Sequence, residues 1–294
     1  AFWDNQEENL IIARDRLGEK PVYFYKSSDF FIFASQICAI RNHPKISLEI
    51  DQNILHNYLK FGYVNSNQSI YKNIYKLLPG KYLILSMRNM DLIQKSYWDV
   101  EKVINKEKKY KKNERFLEYR YLEELLVNSV KSRMSNTDVS FGCFLSGGLD
   151  SSTIAAIMQR QSNKPINTFS IGFFDKDYNE AIYAKELSNY LGTNHRELYL
   201  TENEVIKNIN LMPMIYDEPF SDISQLPTYI LCKFASKYVK VALTGDGGDE
   251  IFCGYNRHLI GAKLYELSNL VPSFLRKFAS DNSDKFNNNY SDFL

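Results

Sequence analysis

A glycine- and serine-rich loop near the middle of the chain has the residue types of an anion-binding site. It covers residues 146–152 and lies between a predicted buried strand at 140–145 and a predicted helix at 153–160. Its glycines allow the backbone to approach an oxyanion closely, and the first N–H groups of the helix lack intrahelical partners. The helix dipole adds partial positive charge at the same point. The loop therefore predicts a phosphate-binding site.

Asp150 distinguishes this loop from the common nucleotide-binding loop, which ends in Gly-Lys-Ser or Gly-Lys-Thr. A carboxylate can hold a phosphate through Mg²⁺, which takes one or two carboxylates together with phosphate oxygens. The alternative is a helix N-cap, because Asp and Ser are favoured there in any protein. As a whole, residues 146–152 resemble the pyrophosphate loop of the ATP-pyrophosphatase superfamily, whose members adenylate a substrate and release pyrophosphate.

A second acidic loop, at residues 244–250, follows a predicted strand at 240–243. Its three carboxylates among three glycines repel one another unless a cation compensates them. Alone, the loop is equally consistent with a glycine-rich turn and a helix that begins near Asp249. Combined with Asp150 at another strand end, it favours a metal site in which Asp150 binds Mg²⁺ and Asp246 faces the reacting acyl group. Asp249 is then either a second Mg²⁺ ligand or a ligand on the pyrophosphate side.

The elements that must position these loops alternate between strands and helices after residue 115. This alternation predicts an α/β domain built on a parallel sheet with helices on both faces. The strands are predicted over residues 140–145, 166–172, 195–200 and 240–244. Ligands bind such sheets at the carboxyl ends of the strands, so the strand ends at Ser146, Ile171 and Thr244 are expected to converge.

The first hundred residues predict a β-rich region. Three runs rich in β-branched and aromatic residues predict an antiparallel meander, at 10–14, 22–25 and 30–34. Asp51 is expected to cap a helix that follows them. A basic run at 106–112 favours a solvated linker between domains over a nucleic-acid patch, because it is short and isolated.

Composition and charge narrow the functional classes. The formal net charge is +1, which gives no electrostatic case for binding nucleic acid or an anionic membrane. We expect neither a signal segment nor a membrane span. The four cysteines are far apart in sequence, which suits reduced thiols better than disulfides or a zinc site. We therefore expect a cytoplasmic protein with small-molecule substrates and no nucleic-acid or membrane partner, and we leave a homodimer open.

Three motifs, in order along the chain, resemble the synthetase domain of glutamine-hydrolysing asparagine synthetases. They cover residues 146–152, 217–220 and 243–255. The first hundred residues resemble the trailing half of that family's amidotransferase domain, through residues 13–23, 33–35 and 69–80. The resemblance implies the β-rich remainder of an Ntn-hydrolase-like amidotransferase domain at 1–100, a linker at 101–114 and an ATP-pyrophosphatase synthetase domain at 115–294.

The resemblance also implies a reaction and roles for individual residues. Aspartate is activated by ATP and Mg²⁺ to aspartyl-AMP, which is attacked by ammonia released from glutamine. Asp246 falls at the acidic position that helps to form the adenylate and accepts the ammonia proton. Leu145 and Ile171 are expected to line adenine and ribose. The pyrophosphate and its metal are expected to be held by Ser146, Gly147, Gly148, Asp150 and Ser151. Thr244 and Gly245 are expected to contact the nucleotide. Residues 219–227 are expected to border the acyl substrate.

Three departures from the family pattern restrict these expectations. The sequence begins after the family's catalytic cysteine and glutamine-binding residues, so we expect an internal fragment without glutaminase activity. It ends before the helices that supply a lysine to the adenylation site, and it has Asp246 where several members carry Glu. Two alternatives stay open: a related enzyme that amidates a sugar or closes a β-lactam ring, and a nucleotide-binding remnant without turnover. None of the histidines is assigned a catalytic role.

Overall fold

The computed structural model describes residues 1–65, 67–107, 115–135, 139–175, 179–273 and 275–277. The chain divides into two compact units, and each has its own structure. The first comprises Ala1–Glu123 and Leu200–Cys232, and the second comprises Glu124–Tyr199 and Lys233–Leu294. Residues 200–232, predicted to be part of the synthetase domain, thus belong to the unit that contains the first hundred residues.

Two antiparallel sheets form most of the first unit's β structure. Their strands are β1 (Phe2–Asp4), β2 (Asn9–Ala13), β3 (Tyr23–Lys26), β4 (Phe31–Ala34), β5 (Ile74–Lys76), β6 (Lys81–Ser86) and β7 (Leu92–Ser96). One sheet has the order β1-β2-β6-β7, and the other has the order β4-β3-β5. The main buried clusters of this unit contain Ile12, Phe24, Leu77 and Leu83, and Ile37, Ile40 and Ile74. The predicted β-rich character of the first hundred residues is confirmed.

The predicted meander of the first three strand-like runs is wrong. β3 and β4 do pair in antiparallel fashion, but β2 pairs with β1 and β6 in the other sheet. The connection from β2 to β3 folds around the guanidinium of Arg14, which donates to the carbonyl oxygens of Gly18, Lys20 and Leu77 at 2.8, 2.9 and 2.8 Å. Because these bonds curl the connection, β3 does not return along β2.

The helices of the described chain are α1 (Ile37–Arg41), α2 (Gln52–Phe61), α3 (Val100–Glu107), α4 (Arg115–Ser135), α5 (Leu149–Gln161), α6 (Ala181–Leu191), α7 (Glu202–Ile209), α8 (Met212–Ile215), α9 (Gln225–Ala235), α10 (Gly248–Phe252) and α11 (Asn256–Asn269). Asp51 caps α2 as predicted, because its carboxylate accepts the N–H groups of Asn53 and Ile54 at 2.9 and 3.3 Å. Helix α3 occupies the start of the predicted linker, and residues 108–114 lie outside the described residues.

A four-stranded sheet organises the second unit. Its strands are β8 (Phe141–Phe144), β9 (Asn167–Phe173), β10 (Asn194–Leu200) and β11 (Val241–Leu243), in the order β10-β9-β8-β11. β8 lies at the centre and pairs in parallel with both β9 and β11. Parallel neighbours place the ends of β8 and β11 at the same edge of the sheet, where the loops containing Ser146 and Asp246 begin.

Helices cover both faces of this sheet. Cys143 and Leu145 share one face and are buried with side chains of α4, α5 and α6. Phe169 belongs to the other face, since it pairs in register with Phe144. Its ring lies 6.0 Å from that of Phe234 in α9 and 5.9 Å from that of Tyr238. The predicted α/β fold class is confirmed.

No helix among the described residues is both long and apolar enough to cross a membrane.

Candidate nucleotide site

The loop after β8 leads directly into α5. Leu145 extends the strand, because its N–H donates to the carbonyl oxygen of Phe169 at 2.8 Å. Gly148 is the N-cap residue of α5, and no side chain caps this helix end. Asp150 therefore lies in the first turn, and helix capping does not explain its presence. The N-terminal amides of α5, which have no intrahelical acceptors, lack a side-chain cap as well.

The serine hydroxyls of this loop bond to the loop itself. The Oγ of Ser151 lies 2.9 Å from the Oγ of Ser146, accepts the N–H of Ser146 at 3.2 Å and donates to the carbonyl oxygen of Gly148 at 3.2 Å. Ser152 also donates to Gly148, at 2.6 Å. These bonds fix the shape of the loop before any ligand binds. Ser151 is buried, so its hydroxyl acts mainly on the loop conformation.

Three glycines allow neighbouring elements to approach this loop closely. Gly147 has φ +85°, and a Cβ there would lie 2.7 Å from Cβ of Tyr183 in α6. A Cβ at Gly245 would lie 2.6 Å from the backbone nitrogen of Ser151. A Cβ at Gly248 would lie 2.5 Å from Oδ2 of Asp150. The loop after β11 is therefore packed against the N-terminal turn of α5, and the two predicted motifs lie together.

The acidic residues of the second loop point in different directions. The carboxylate of Asp249 lies against Gly254, where a Cβ would overlap it. Glu250 accepts a hydrogen bond from the Tyr255 hydroxyl at 2.9 Å, and this bond raises the pKa of Tyr255. Asp246 is exposed, and its N–H donates to Oγ1 of Thr244 at 3.3 Å. Of the acids in the two loops, Asp249 and Glu250 thus have their carboxylates against Gly254 and Tyr255, whereas those of Asp150 and Asp246 do not.

The two residues expected beside adenine and ribose differ in accessibility. The side chain of Leu145 is fully buried in the core under α4, α5 and α6, so only its backbone is available to a ligand. Ile171 is half-buried in β9, and it belongs to the face opposite to Leu145. The adjacent Gly172 packs against the ring of Tyr199, where a Cβ would lie 2.7 Å from Cε1.

The fit of a divalent cation can be judged from the donor set. Within the part of the chain that the structure describes, no group of three or more His, Cys, Asp or Glu side chains could hold a metal ion. A cation here would depend on one or two carboxylates and on oxygens of its ligand. This is the usual coordination of Mg²⁺ with nucleotides, so the residues present fit Mg²⁺ better than a metal held by protein alone.

His195 has a largely buried side chain, and both of its ring nitrogens lie within hydrogen-bond distance of neutral hydroxyl groups. Its Nδ1 lies 2.9 Å from Oγ1 of Thr168, and its Nε2 lies 3.2 Å from Oγ of Ser170. Burial lowers the pKa of the imidazole, although Glu197, at 4.0 Å from Nε2, opposes this effect. The contacts are those of a histidine that packs in the protein interior.

The sequence did not single out Glu218 as a buried charge. Its carboxylate forms an ion pair with Lys76 at 2.7 Å in the first unit, and the two side chains are 11% and 16% exposed. Glu218 also accepts hydrogen bonds from the Tyr23 hydroxyl at 3.2 Å and from the N–H of Ile70 at 2.9 Å. The residues around Glu218 do not indicate these partners, because the partners are 142 or more positions away in the sequence.

Comparison with protein-family models decides the family. The model described as asparagine synthase matches residues 121–291, which is more than half of the chain. The chain belongs to the asparagine synthase family. Residues 1–98 match a second model, described as a glutamine amidotransferase domain. The family resemblance drawn from the motifs is confirmed.

Two relatives of this family show how much of a longer protein the chain covers. One, from Methanocaldococcus jannaschii and named as a glutamine-hydrolyzing asparagine synthetase, is 37% identical over 95% of this chain and 53% of its own length. Asparagine synthetase 1 of Bacillus subtilis, also named as glutamine-hydrolyzing, is 30% identical over 94% of this chain and 42% of its own length. The chain spans about half the length of the curated relatives it matches.

Among solved structures, an NH3-dependent NAD synthetase from Campylobacter jejuni is similar to part of the chain. The two are 13% identical, with a TM-score of 0.34, and the match covers 47% of this chain and 61% of the other.

Proposed function

We propose that this chain is part of an ATP-dependent enzyme that converts aspartate to asparagine through aspartyl-AMP, with ammonia released from glutamine. The observation that carries the proposal is the packing of the acidic loop against the N-terminal turn of α5, with Gly248 directly beside the carboxylate of Asp150. Membership of the asparagine synthase family supports the reaction class. The amidotransferase match at residues 1–98 supports glutamine as the source of ammonia.

In this proposal, the loop after β8 holds the pyrophosphate portion of ATP. Backbone N–H groups at the start of α5 meet phosphate oxygens, and the helix dipole favours the negative charge. Gly147 and Gly148 keep side chains out of the way, while Ser146 and Ser151 maintain the loop shape through their mutual hydrogen bond. Such a site needs little rearrangement when the nucleotide arrives, which reduces the entropic cost of binding.

Asp150 and Asp249 are the proposed protein ligands of Mg²⁺. Bound Mg²⁺ neutralises phosphate charge and polarises the phosphate oxygens. Asp150 is the stronger candidate, because its carboxylate lies at the meeting point of the two loops. Asp249 needs a side-chain rotation away from Gly254 before it can contribute.

Asp246 is the proposed acid–base residue. It is exposed on the loop after β11, next to Thr244 and Gly245, which are proposed to contact the nucleotide. A carboxylate there can accept a proton from ammonia as the carbon–nitrogen bond forms. Such a group interacts most strongly in the transition state, so its removal is expected to affect turnover more than nucleotide binding.

The test uses the full-length protein with ATP, Mg²⁺, aspartate and ammonium, and it measures asparagine and pyrophosphate together. Wild type is expected to release both in equal amounts. Asp246→Asn is expected to lower asparagine synthesis by roughly 10²-fold or more, the usual effect of losing a general acid–base group, and to change ATP affinity only a few-fold. Asp246→Glu keeps the carboxylate and is expected to retain activity.

Asp29→Asn, in an exposed turn of the first unit, is the matched control and is expected to behave as wild type. Pyrophosphate release that does not depend on aspartate would contradict aspartate as the acyl substrate. If Asp246→Asn instead abolished ATP binding, Asp246 would be a metal ligand, and Glu250 would be the next acid to test.

A further inference from the structure

Asp217 caps a helix that lies far from it in sequence. Its Oδ2 accepts the N–H of Ile37 at 2.6 Å, and its Oδ1 accepts the N–H of Cys38 at 2.9 Å. These residues begin α1, whose own N-cap residue, Gln36, makes no capping hydrogen bond with its side chain. The carboxylate therefore satisfies two amide groups of a helix about 180 residues earlier in the chain.

Glu218 makes the second attachment, and it does so with largely buried groups. One carboxylate oxygen meets Lys76 and Tyr23, and the other accepts the N–H of Ile70. Burial, reinforced by the charge of Glu218, raises the pKa of Tyr23, so its hydroxyl stays a donor at any physiological pH. Both oxygens of Glu218 thus have partners in residues 1–98, the segment that matches the amidotransferase model.

A third attachment follows three residues later. The N–H of Ser221 donates to the carbonyl oxygen of Gly62 at 2.6 Å. Gly62 ends α2 with φ +80°, and a Cβ there would lie 3.2 Å from Cβ of Ser221. The following turn is closed by Gln225, whose side-chain amide donates to the carbonyl oxygens of Phe220 and Asp222 at 3.2 and 2.9 Å. Polar bonds therefore hold the segment at 217, 218 and 221.

Apolar packing by itself is not enough to hold residues 217–225 in place. A cavity of about 330 Å³ lies beside it within the first unit, and its lining includes Tyr23, Tyr63, Tyr216 and Phe220. Ile223, in the turn, is 98% exposed. Because the segment has space on one side and solvent on another, loss of the polar attachments leaves it room to move.

We propose that Asp217 and Glu218 are positioning residues, which fix residues 219–227 to the amidotransferase-matched part of the chain and so set the geometry of the acyl-substrate segment. The inference rests on the proposed function and on the expectation, drawn from the sequence, that residues 219–227 border the acyl substrate. Glu218 does not touch the substrate in this scheme. Its effect passes through Pro219 to the turn at 220–225 and the start of α9.

The first experiment measures amide hydrogen exchange in this chain for Glu218→Gln. The variant keeps the shape of the side chain and removes the charge that Lys76 pairs with. We expect the protection of the Ser221 and Ile70 amides to fall roughly tenfold or more, since hydrogen bonds to charged groups are stronger than those to neutral groups. Amides of β6 are expected to keep their protection. Glu8→Gln, in the exposed ion pair with Arg88, is the matched control.

The second experiment measures kinetics in the full-length protein with ammonium as the nitrogen source. Glu218→Gln is expected to raise KM for aspartate roughly tenfold, in proportion to the loss of the same interaction, while KM for ATP stays unchanged. Lys76→Arg keeps the cation and is expected to retain the wild-type KM. Tyr23→Phe removes one hydrogen bond only and is expected to have a smaller effect in the same direction, so it serves if Glu218→Gln does not fold.

Two results would overturn the inference. One is a Glu218→Gln variant whose Ser221 exchange and aspartate KM both match those of Glu8→Gln. The other is a uniform loss of protection that includes β6, which indicates a general stabilising role. If wild type makes no amide from any acid, the proposed function fails, and the exchange comparison still decides whether Glu218 holds the segment.

Discussion

Glu218 in the first unit and Asp150 in the second are both acids next to tightly packed backbone, but they have different partners. Glu218 pairs with Lys76 and accepts two further hydrogen bonds. By contrast, among the residues that the structure describes, Asp150, Asp246 and Asp249 form no ion pair with a cationic side chain. A buried charge destabilises the folded state unless it is paired. Glu218 therefore depends on its protein partners for the stability of the first unit.

The difference indicates what each set of acids is for. In the first unit, Asp217 and Glu218 have a protein partner for each carboxylate oxygen, and they connect distant segments of that unit. In the second unit, Asp150 lies in the first turn of α5, whose N-terminus no side chain caps, and Gly248 packs against its carboxylate. That arrangement can accept a cation together with an anionic ligand, which is the role proposed for it.

The largest effect is expected when the ion pair between Lys76 and Glu218 is broken. Lys76→Met leaves Glu218 without its cation where the side chains are 16% and 11% exposed. Removing one partner of a buried pair costs about 3–5 kcal/mol, and we expect the free energy of unfolding of the first unit to fall by that amount. Both tryptophans, Trp3 and Trp98, lie in this unit, so their fluorescence during urea unfolding measures the change.

Arg88→Met is the matched control, because it removes the cation of an exposed ion pair with Glu8 in the same unit. Exposed pairs contribute little to stability, so its unfolding curve is expected to stay close to that of wild type. Equal losses for the two variants would show that burial does not distinguish them, and the contrast between the two sets of acids would fail.

A smaller effect is expected when the carboxylate of Asp150, which has no ion-pair partner among the described residues, is displaced. Gly248→Ala places a methyl group 2.5 Å from Oδ2 of Asp150, so the carboxylate must move. We expect the affinity for ATP in the presence of Mg²⁺ to fall roughly tenfold, the scale of effect seen when a metal ligand loses its orientation. Titration calorimetry with and without Mg²⁺ measures this.

Gly261→Ala makes the same change in α11, where a Cβ would meet nothing within 4 Å. It is expected to leave ATP affinity unchanged. A Gly248→Ala variant that binds Mg²⁺ and ATP as wild type does would remove Asp150 from the proposed metal site.

The smallest effect concerns His195, whose two ring nitrogens lie within hydrogen-bond distance of the hydroxyls of Thr168 and Ser170. Burial holds its pKa below the value of 6.5 that it has when unfolded, with Glu197 acting in the opposite direction and Lys185 in the same direction. As the pH falls below about 6.5, the unfolded chain binds a proton that the folded chain does not, so stability decreases. Above that pH the contribution is complete.

We therefore expect hydrogen exchange of β9 amides, corrected for intrinsic rates, to show falling protection between about pH 7 and pH 5. His195→Gln does not titrate and is expected to flatten this dependence. The same slope in both proteins would assign the pH effect to other groups.

Local patterns in the sequence determined the parts of this protein that depend on neighbouring residues. Alternating strands and helices predicted the parallel sheet, since each strand and helix must bury its own apolar face. Asp51 predicted the start of α2, because a cap acts within three residues. The order of glycines, serines and Asp150 predicted the loop after β8 for the same reason.

Tertiary structure alone decided how separate segments combine. The loops at 146–152 and 244–250 were expected to meet, but only the fold placed Gly248 against Asp150 and turned Asp249 towards Gly254. It also assigned β2 and β3 to different sheets and joined Glu218 to Lys76. Side-chain partners this distant in sequence produce no periodicity or local motif, because their contact depends on the path of all the chain between them.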